Sequence, residues 1–225
     1  MPMSESLPNL HVPAVQTLGE RYSKLRLWWY MFAVLFVGDF FGLMAIVAIN
    51  DLNDSVRSPV IWQLGMQRLS IVSIGVASLI FASFGWLIGW ILRKVAICQV
   101  RWVVLAVFVG YWSAYILFNW PPSLLWLTNS PHTTYYRHML SAMLTAIGCV
   151  AGPIALVMRP SSWAVVWLLS QLGLGFVIAS ISHWLVLNNF DGFAITFFII
   201  SILAIYPLVL SIWFSYYLRR QIVPF

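Results

Sequence analysis

Six apolar runs, each about as long as a lipid bilayer is thick, divide this chain. A helix rises about 1.5 Å per residue, so roughly 20 apolar residues cover a hydrocarbon core of about 30 Å. The runs predict an all-α fold, a polytopic integral membrane protein with a six-helix transmembrane domain over residues 27–218. They lie at approximately 27–50, 69–92, 102–119, 139–158, 162–187 and 193–218.

Composition explains why these runs belong in lipid and not in a water-soluble core. Hydrophobic residues make up 62% of the 225 residues and charged residues only 8%, whereas a soluble domain carries roughly 25% charged residues. A lipid solvent accepts such an apolar surface. The net charge of +6 does not indicate a nucleic-acid partner, because the Lys and Arg residues stand in small groups at the ends of the runs and not along one face. The lipid bilayer is the predicted partner.

The basic residues are divided unequally between the two sides of the predicted bundle. Arg57, Arg68 and Arg137 fall on one side, and the other nine of the 12 Lys and Arg residues fall on the side that holds both termini. Cytoplasmic loops carry the excess of basic residues, so both termini are predicted to be cytoplasmic in a multi-pass protein of the cell (inner) membrane. The nine residues are Arg21, Lys24, Arg26, Arg93, Lys94, Arg101, Arg159, Arg219 and Arg220.

The segments between and beside the runs differ in length and character. Residues 1–26 carry apolar residues at helical spacing beside basic ones, which permits a short amphipathic helix or a simple basic anchor; we favour the anchor. The outer loops 51–68 and 120–138 are long enough to fold back over the bundle. Within the second loop, the stretch from Pro121 to Leu127 predicts a short helix at the membrane interface. Residues 219–225 form a cytoplasmic tail.

Three runs contain two glycines four positions apart, a spacing that lets helix backbones approach closely. The glycine pairs predict tight packing between helices without indicating a specific dimer. Because three runs begin inside and three begin outside, the two halves are inverted in the membrane, as in many transporters. The fifth run has Gly173 and Gly175 instead of such a pair, and the third and sixth runs share no pattern, so a true internal repeat is not predicted. The pairs are Gly38 with Gly42, Gly85 with Gly89, and Gly148 with Gly152.

Asp39 is the most informative polar residue, because it stands near the middle of the first run. Counting from Leu27 places it about 18 Å into the membrane, where a charge is costly unless it is paired, hydrated or protonated. No Lys or Arg occurs at that depth. Asp39 is therefore a candidate proton- or cation-binding carboxylate, or else a protonated residue that hydrogen-bonds a neighbouring helix. Its candidate partners at similar depth are Ser78, Gln171 and Ser201.

A second group of polar and aromatic residues gathers at the predicted outer ends of the third, fourth and fifth runs. This group would suit the mouth of a cavity for a small solute. The alternative is an aromatic belt with ordinary polar loop residues, and we favour that alternative. The candidate ligand-binding residues are Tyr115, Asn119, His138, His183, Asn188 and Asp191.

No cofactor or catalytic site is predicted. The two cysteines, Cys98 and Cys149, lie in a basic loop and inside an apolar run, so they do not indicate a disulfide framework. The outer ligand-type residues match no zinc, copper or haem spacing. We therefore expect no metal and no haem. These ligand-type residues are His132, His138, His183 and Asp191.

Three functions remain open from the sequence. The first is transport: a permease or a membrane solute-binding subunit, coupled to a proton or cation through Asp39. The second is a non-catalytic scaffold, assembly or sensor subunit that associates with other membrane chains or with itself. The third is a membrane enzyme or cofactor carrier, for which the chain offers no recognisable motif. Asp39 favours transport, since intramembrane carboxylates commonly mark ion pathways.

Overall fold

A computed structural model describes residues 18–55, 60–64, 67–95, 97–119, 147–148 and 150–220. Several predicted features lie outside these residues: most of segment 1–26, the interfacial helix at 121–127, residues 139–146 of the fourth predicted span, Cys149, and residues 221–225 of the tail. The helices and strands are α1 (Leu18–Arg21), α2 (Lys24–Leu35), a π-helical segment (Phe36–Phe41), α3 (Gly42–Ser55), β1 (Val60–Leu64), β2 (Gln67–Ser70), α4 (Ile71–Lys94), α5 (Val100–Asn119), α6 (residues 147–148 and 150–157), α7 (Ser161–Leu187) and α8 (Gly192–Leu218).

Four of the described helices are long and apolar enough to cross a membrane, and the chain is therefore a helical membrane protein. They cover Lys24–Ile46, Ile71–Lys94, Ser161–Leu187 and Phe197–Leu218, and Val100–Ile116 forms a shorter apolar helix. Apolar side chains point away from the bundle, including Leu79, which is 71% exposed, and Phe193, which is 81% exposed. Lipid is the medium that accepts such side chains.

Polar side chains at the helix starts account for where several helices begin. The hydroxyl of Ser23 accepts a hydrogen bond from the amide of Arg26, so α2 starts at Lys24 and not at the predicted Leu27. Ser70 caps α4 in the same way. An N-cap side chain satisfies an amide that has no partner within the helix. Residues of the predicted basic anchor therefore form the short α1 and the first turn of α2.

The loop after α3 contains the main departure from an all-α fold. Strands β1 and β2 pair antiparallel, with Gln63 opposite Arg68 and Leu64 opposite Gln67. The loop was expected to fold back over the bundle, but strands were not predicted. A two-stranded hairpin of this kind is only marginally stable alone, and here both strands lie between two apolar helices.

The helices α4 and α5 pack closely against each other through the second glycine pair. A Cβ atom added at Gly85 would stand 2.9 Å from Val104 Cα, and one at Gly89 would stand 3.2 Å from the Val100 carbonyl oxygen. The predicted close packing is confirmed for this pair. A Cβ atom at Gly148 or at Gly152 would meet no described atom within 4 Å, so the third pair makes no such approach within the described residues.

Three contacts bring the basic helix ends to one end of the bundle. Tyr22 Oη donates to the Lys94 carbonyl oxygen at 2.8 Å, and the Arg159 amide donates to the Ile97 carbonyl oxygen at 3.0 Å. Tyr217 Oη lies 3.2 Å from Ser162 Oγ. The start of α2, the α4–α5 turn, the α6–α7 turn and the end of α8 therefore lie together.

Candidate functional site

Asp39 lies within the π-helical segment, where the regular helical hydrogen bonds are interrupted. The amide of Gly42 donates to the carbonyl oxygens of Val37 and Asp39 and not to that of Gly38, its partner in a regular α-helix. Single π-helical turns inside α-helices occur frequently at functional sites. The Asp39 side chain is buried, at 9% exposure.

Tyr111 of α5 holds this interrupted region in place. Its hydroxyl donates to the Gly38 carbonyl oxygen at 2.8 Å, which supplies the bond that the Gly42 amide does not make. The tyrosine ring lies directly against Gly42, because a Cβ atom there would stand 2.5 Å from Tyr111 Cε1. The first glycine pair therefore accommodates a tyrosine ring and not a helix backbone. Tyr111 was missed by sequence reasoning, although a hydroxyl in the middle of an apolar run was a usable signal.

A cavity of about 20 Å³ lies beside Asp39. This volume is enough for about one water molecule. Its polar wall consists of Asp39, Tyr111, Trp167 and Gln171, and the remaining wall is apolar. The apolar lining residues are Gly38, Leu43, Ile46, Ala114, Ile147, Val150, Ala151, Ile154 and Leu174.

Gln171 of α7 lines the same cavity as the Asp39 carboxyl group. Asp39 Oδ2 and Gln171 Nε2 have no partner within hydrogen-bond distance among the described residues, and the same is true of Trp167 Nε1. Buried polar atoms are normally satisfied by protein groups or by ordered water. The cavity thus brings together one acceptor and two donors whose hydrogen bonds a single small polar guest could complete.

Among the described residues, no basic side chain lies beside the Asp39 carboxyl group at this site. The residues that line the cavity include no Lys, Arg or His, so the described structure offers no intramembrane ion pair. Within the described residues, no three His, Cys, Asp or Glu side chains come together as a metal site would require. The site's chemistry is therefore that of one carboxyl group with neutral hydrogen-bonding neighbours.

The other predicted partners of Asp39 do not line the cavity. Ser78 on α4 is half-buried, and Ser201 on α8 donates to the Phe197 carbonyl oxygen of its own helix at 2.8 Å. Tyr206 Oη donates to the Ser170 carbonyl oxygen and ties α8 to α7. Of the predicted candidates, the structure thus brings together Asp39 and Gln171.

The predicted outer mouth is only partly described. The side chain of Asn119 and the whole of His138 lie outside the described residues. Tyr115 is fully buried beside the Trp112 ring, with ring centroids 5.8 Å apart, and His183 is half-buried.

Two further mouth residues complete helix ends. Asn188 Nδ2 donates to the Trp184 carbonyl oxygen at 2.7 Å, and Asp191 Oδ1 accepts from the Ala194 amide at 2.7 Å. These bonds engage Asn188 Nδ2 at the end of α7 and Asp191 Oδ1 at the start of α8. A solute site at this mouth stays a prediction.

Comparison with known proteins identifies no relative of this chain. No protein-family model matches the chain, and neither a curated protein nor a solved structure matches it.

Proposed function

We propose that the chain is a small multi-pass transport protein in which Asp39 binds a proton, or a small cation, inside the membrane. The observation that carries this proposal is the cavity that Asp39 and Gln171 share, with unsatisfied polar atoms on both side chains. A buried carboxyl group without a basic partner is costly in lipid. Its presence beside a small cavity with unsatisfied polar atoms is easier to explain by a bound ion than by packing alone.

The size and ligands of the cavity favour a proton. A space of about 20 Å³ holds one water and excludes an organic solute unless the helices separate. Calcium takes six to eight oxygen ligands and magnesium needs a near-ideal octahedron. The lining offers few side-chain oxygens, namely those of Asp39, Gln171 and Tyr111. A carboxyl group that carries the proton, with one water bridging to the amide and indole groups, would satisfy the unpaired polar atoms of Asp39, Gln171 and Trp167.

In the proposed topology, six helices span the cell (inner) membrane and both termini are cytoplasmic. The gathering of the basic helix ends at one end of the bundle supports this arrangement, since cytoplasmic ends carry the excess of Lys and Arg. The helix α5, together with α6 and the residues before it, would supply the two spans beyond the four long helices. A small solute entering at the outer mouth would then move together with the proton.

A scaffold or assembly subunit is the second candidate, and the position of Asp39 and Gln171 in one cavity is the observation that favours it. A protonated Asp39 that hydrogen-bonds Gln171 would connect the first membrane helix to α7. Interhelical polar contacts in membranes contribute on average about 0.6 kcal/mol. In that case the carboxyl group stabilises the bundle and carries no ion.

Proton flux into liposomes separates the two candidates. Purified chain is reconstituted with a pH-sensitive dye inside, and a potassium diffusion potential drives uptake. Asp39→Asn is expected to abolish protein-dependent acidification while the melting temperature in detergent changes by only a few degrees. Glu20→Gln is the matched control, because it removes one acidic charge from an exposed side chain in α1, outside the long apolar helices.

The opposite pattern would favour the scaffold function. If wild-type chain conducts no protons with or without candidate solutes, or if Asp39→Asn conducts as well as wild type, the transport proposal is wrong. A large loss of thermal stability in Asp39→Asn, without any flux in the wild type, would indicate a packing role.

A further inference from the structure

A second cavity lies at the basic end of the bundle, away from Asp39. It is an open cleft of about 600 Å³ between the α4–α5 turn, the start of α5 and the end of α6. The hydrogen bond from the Arg159 amide to the Ile97 carbonyl oxygen, at 3.0 Å, joins two of its walls. The cleft is therefore built by segments that are distant in sequence but connected in the fold.

The charged side chains that line this cleft are positive. Arg93 from the end of α4 and Arg159 from the α6–α7 turn both line it, and both side chains are exposed. Gln99 adds a neutral polar group, and no acidic side chain occurs among the described lining residues. A guanidinium group matches the geometry of a phosphate, to which it can donate two parallel hydrogen bonds.

Two large apolar side chains of the cleft are exposed. Leu156 is 87% exposed and Trp102 is 51% exposed, and both line the cleft beside the arginines. Tryptophan is enriched at the depth of the lipid headgroups. Two cations next to an outward apolar wall match a molecule that is anionic at one end and hydrocarbon at the other.

We propose that this cleft binds an anionic phospholipid, with its phosphate between Arg93 and Arg159 and its acyl chain along Leu156 and Trp102. Basic pockets between membrane helices are known to hold lipid headgroups in this way. The site is separate from Asp39 and does not rest on the proposed transport function. A soluble phosphate compound shares the headgroup chemistry but has no hydrocarbon chain to contact the apolar wall.

Lipid titration followed by native mass spectrometry tests the proposal on the full chain in detergent. Phosphatidylglycerol and phosphatidylcholine are the two probes. Wild-type chain is expected to retain phosphatidylglycerol at least tenfold more tightly than phosphatidylcholine. The variant with Arg93→Gln and Arg159→Gln is expected to lose at least tenfold in affinity for phosphatidylglycerol only.

The control carries Lys94→Gln and Arg220→Gln, which removes the same charge from the same end of the bundle. Neither residue lines the cleft, so this variant is expected to bind phosphatidylglycerol as wild type does. If the glutamine variant of the cleft fails to fold, the variant with Arg93→Lys and Arg159→Lys is used instead. It keeps both positive charges but lacks the planar guanidinium groups. It is expected to bind with intermediate affinity.

Three results would overturn the proposal. Equal retention of both lipids would show that the cleft does not select for negative charge. Equal losses of phosphatidylglycerol affinity in the cleft variant and in the control would show that binding depends on the general surface charge and not on the cleft. Displacement of phosphatidylglycerol by inorganic phosphate at an equal concentration would show that the apolar wall contributes nothing and that the ligand is a soluble phosphate.

Discussion

Replacing Gly42 with alanine tests the contact that positions the Asp39 site. The added Cβ atom would stand 2.5 Å from Tyr111 Cε1 and 2.6 Å from Tyr111 Cζ, much closer than two carbon atoms can approach. Tyr111 is only 1% exposed, so its ring has little free space into which it can move. Relief of the clash must therefore shift α5 or the first membrane helix.

The expected cost has two parts. Overpacking of a well-packed interior costs about 1–3 kcal/mol, and loss of the hydrogen bond between Tyr111 and Gly38 adds about 0.5–1.5 kcal/mol. Together they lower the free energy of unfolding by about 1.5–4.5 kcal/mol. On the scale of soluble domains of similar length, this lowers the melting temperature by about 3–18 °C.

Thermal unfolding in detergent, followed by tryptophan fluorescence, measures the change. Gly75→Ala is the matched control, because a Cβ atom there meets no described atom within 4 Å; it is expected to leave the melting temperature unchanged or slightly raised. In a Tyr111→Ala background, Gly42→Ala should cost almost nothing, since the clashing ring is gone. An undiminished loss in that background, or no loss in the wild-type background, would refute the assigned contact.

Three further predictions concern other parts of the fold. Gly85→Ala places a Cβ atom 2.9 Å from Val104 Cα and is expected to lower the free energy of unfolding by about 1–3 kcal/mol. The same thermal assay measures the loss, and an unchanged melting temperature would contradict the close packing of α4 and α5. Asp191→Ala removes the cap of α8 and is expected to cost about 0.5–2 kcal/mol, whereas Asp191→Asn should cost clearly less, and equal losses would refute the capping role. Burial raises the pKa of the Cys98 thiol to about 12. In a variant whose other cysteine is replaced by serine, alkylation of Cys98 at pH 8 should be far slower in the folded protein than in protein unfolded with sodium dodecyl sulfate, and it should accelerate as the pH approaches 12. Equal rates in the folded and unfolded protein would contradict that burial.

The helix boundaries were largely predictable because apolar runs and capping residues are local signals. The run predicted at 162–187 forms Ser161–Leu187, and the run at 193–218 forms Gly192–Leu218. The first membrane helix begins earlier than predicted because the Ser23 cap, and not the last basic residue, determines its start.

The candidate site was predictable only in part. Counting residues from the helix ends placed Asp39 and Gln171 at similar depth, and both line the cavity. The π-helical segment could not be predicted, since the bond that compensates for it comes from Tyr111, 73 positions along the chain. Which face a transmembrane helix turns toward its neighbours is poorly encoded when nearly every side chain is apolar. For this reason the sequence did not distinguish Ser78 and Ser201 from Gln171 as candidate partners of Asp39.

The proposed function gives the polar residues around Asp39 distinct tasks. In this proposal Asp39 carries the proton, and Gln171 and Trp167 supply donors to the water or ion beside it. Tyr111 holds the Gly38 carbonyl and thereby the shape of the helix at that level. Gln171→Leu should therefore impair proton flux more than Ser201→Ala, because the Ser201 hydroxyl is bonded within its own helix.

Infrared difference spectroscopy across a pH step measures directly whether Asp39 binds and releases a proton within the membrane. The chain has six acidic residues, so the signal is assigned by subtracting the spectrum of Asp39→Asn from that of the wild type. The proposal predicts a protonated-carboxyl C=O band that shifts in deuterium oxide, disappears at high pH over the range in which flux occurs, and is absent in Asp39→Asn. A spectrum with no band from Asp39, or with a band that stays constant across that range, would contradict a role for Asp39 in proton binding and release.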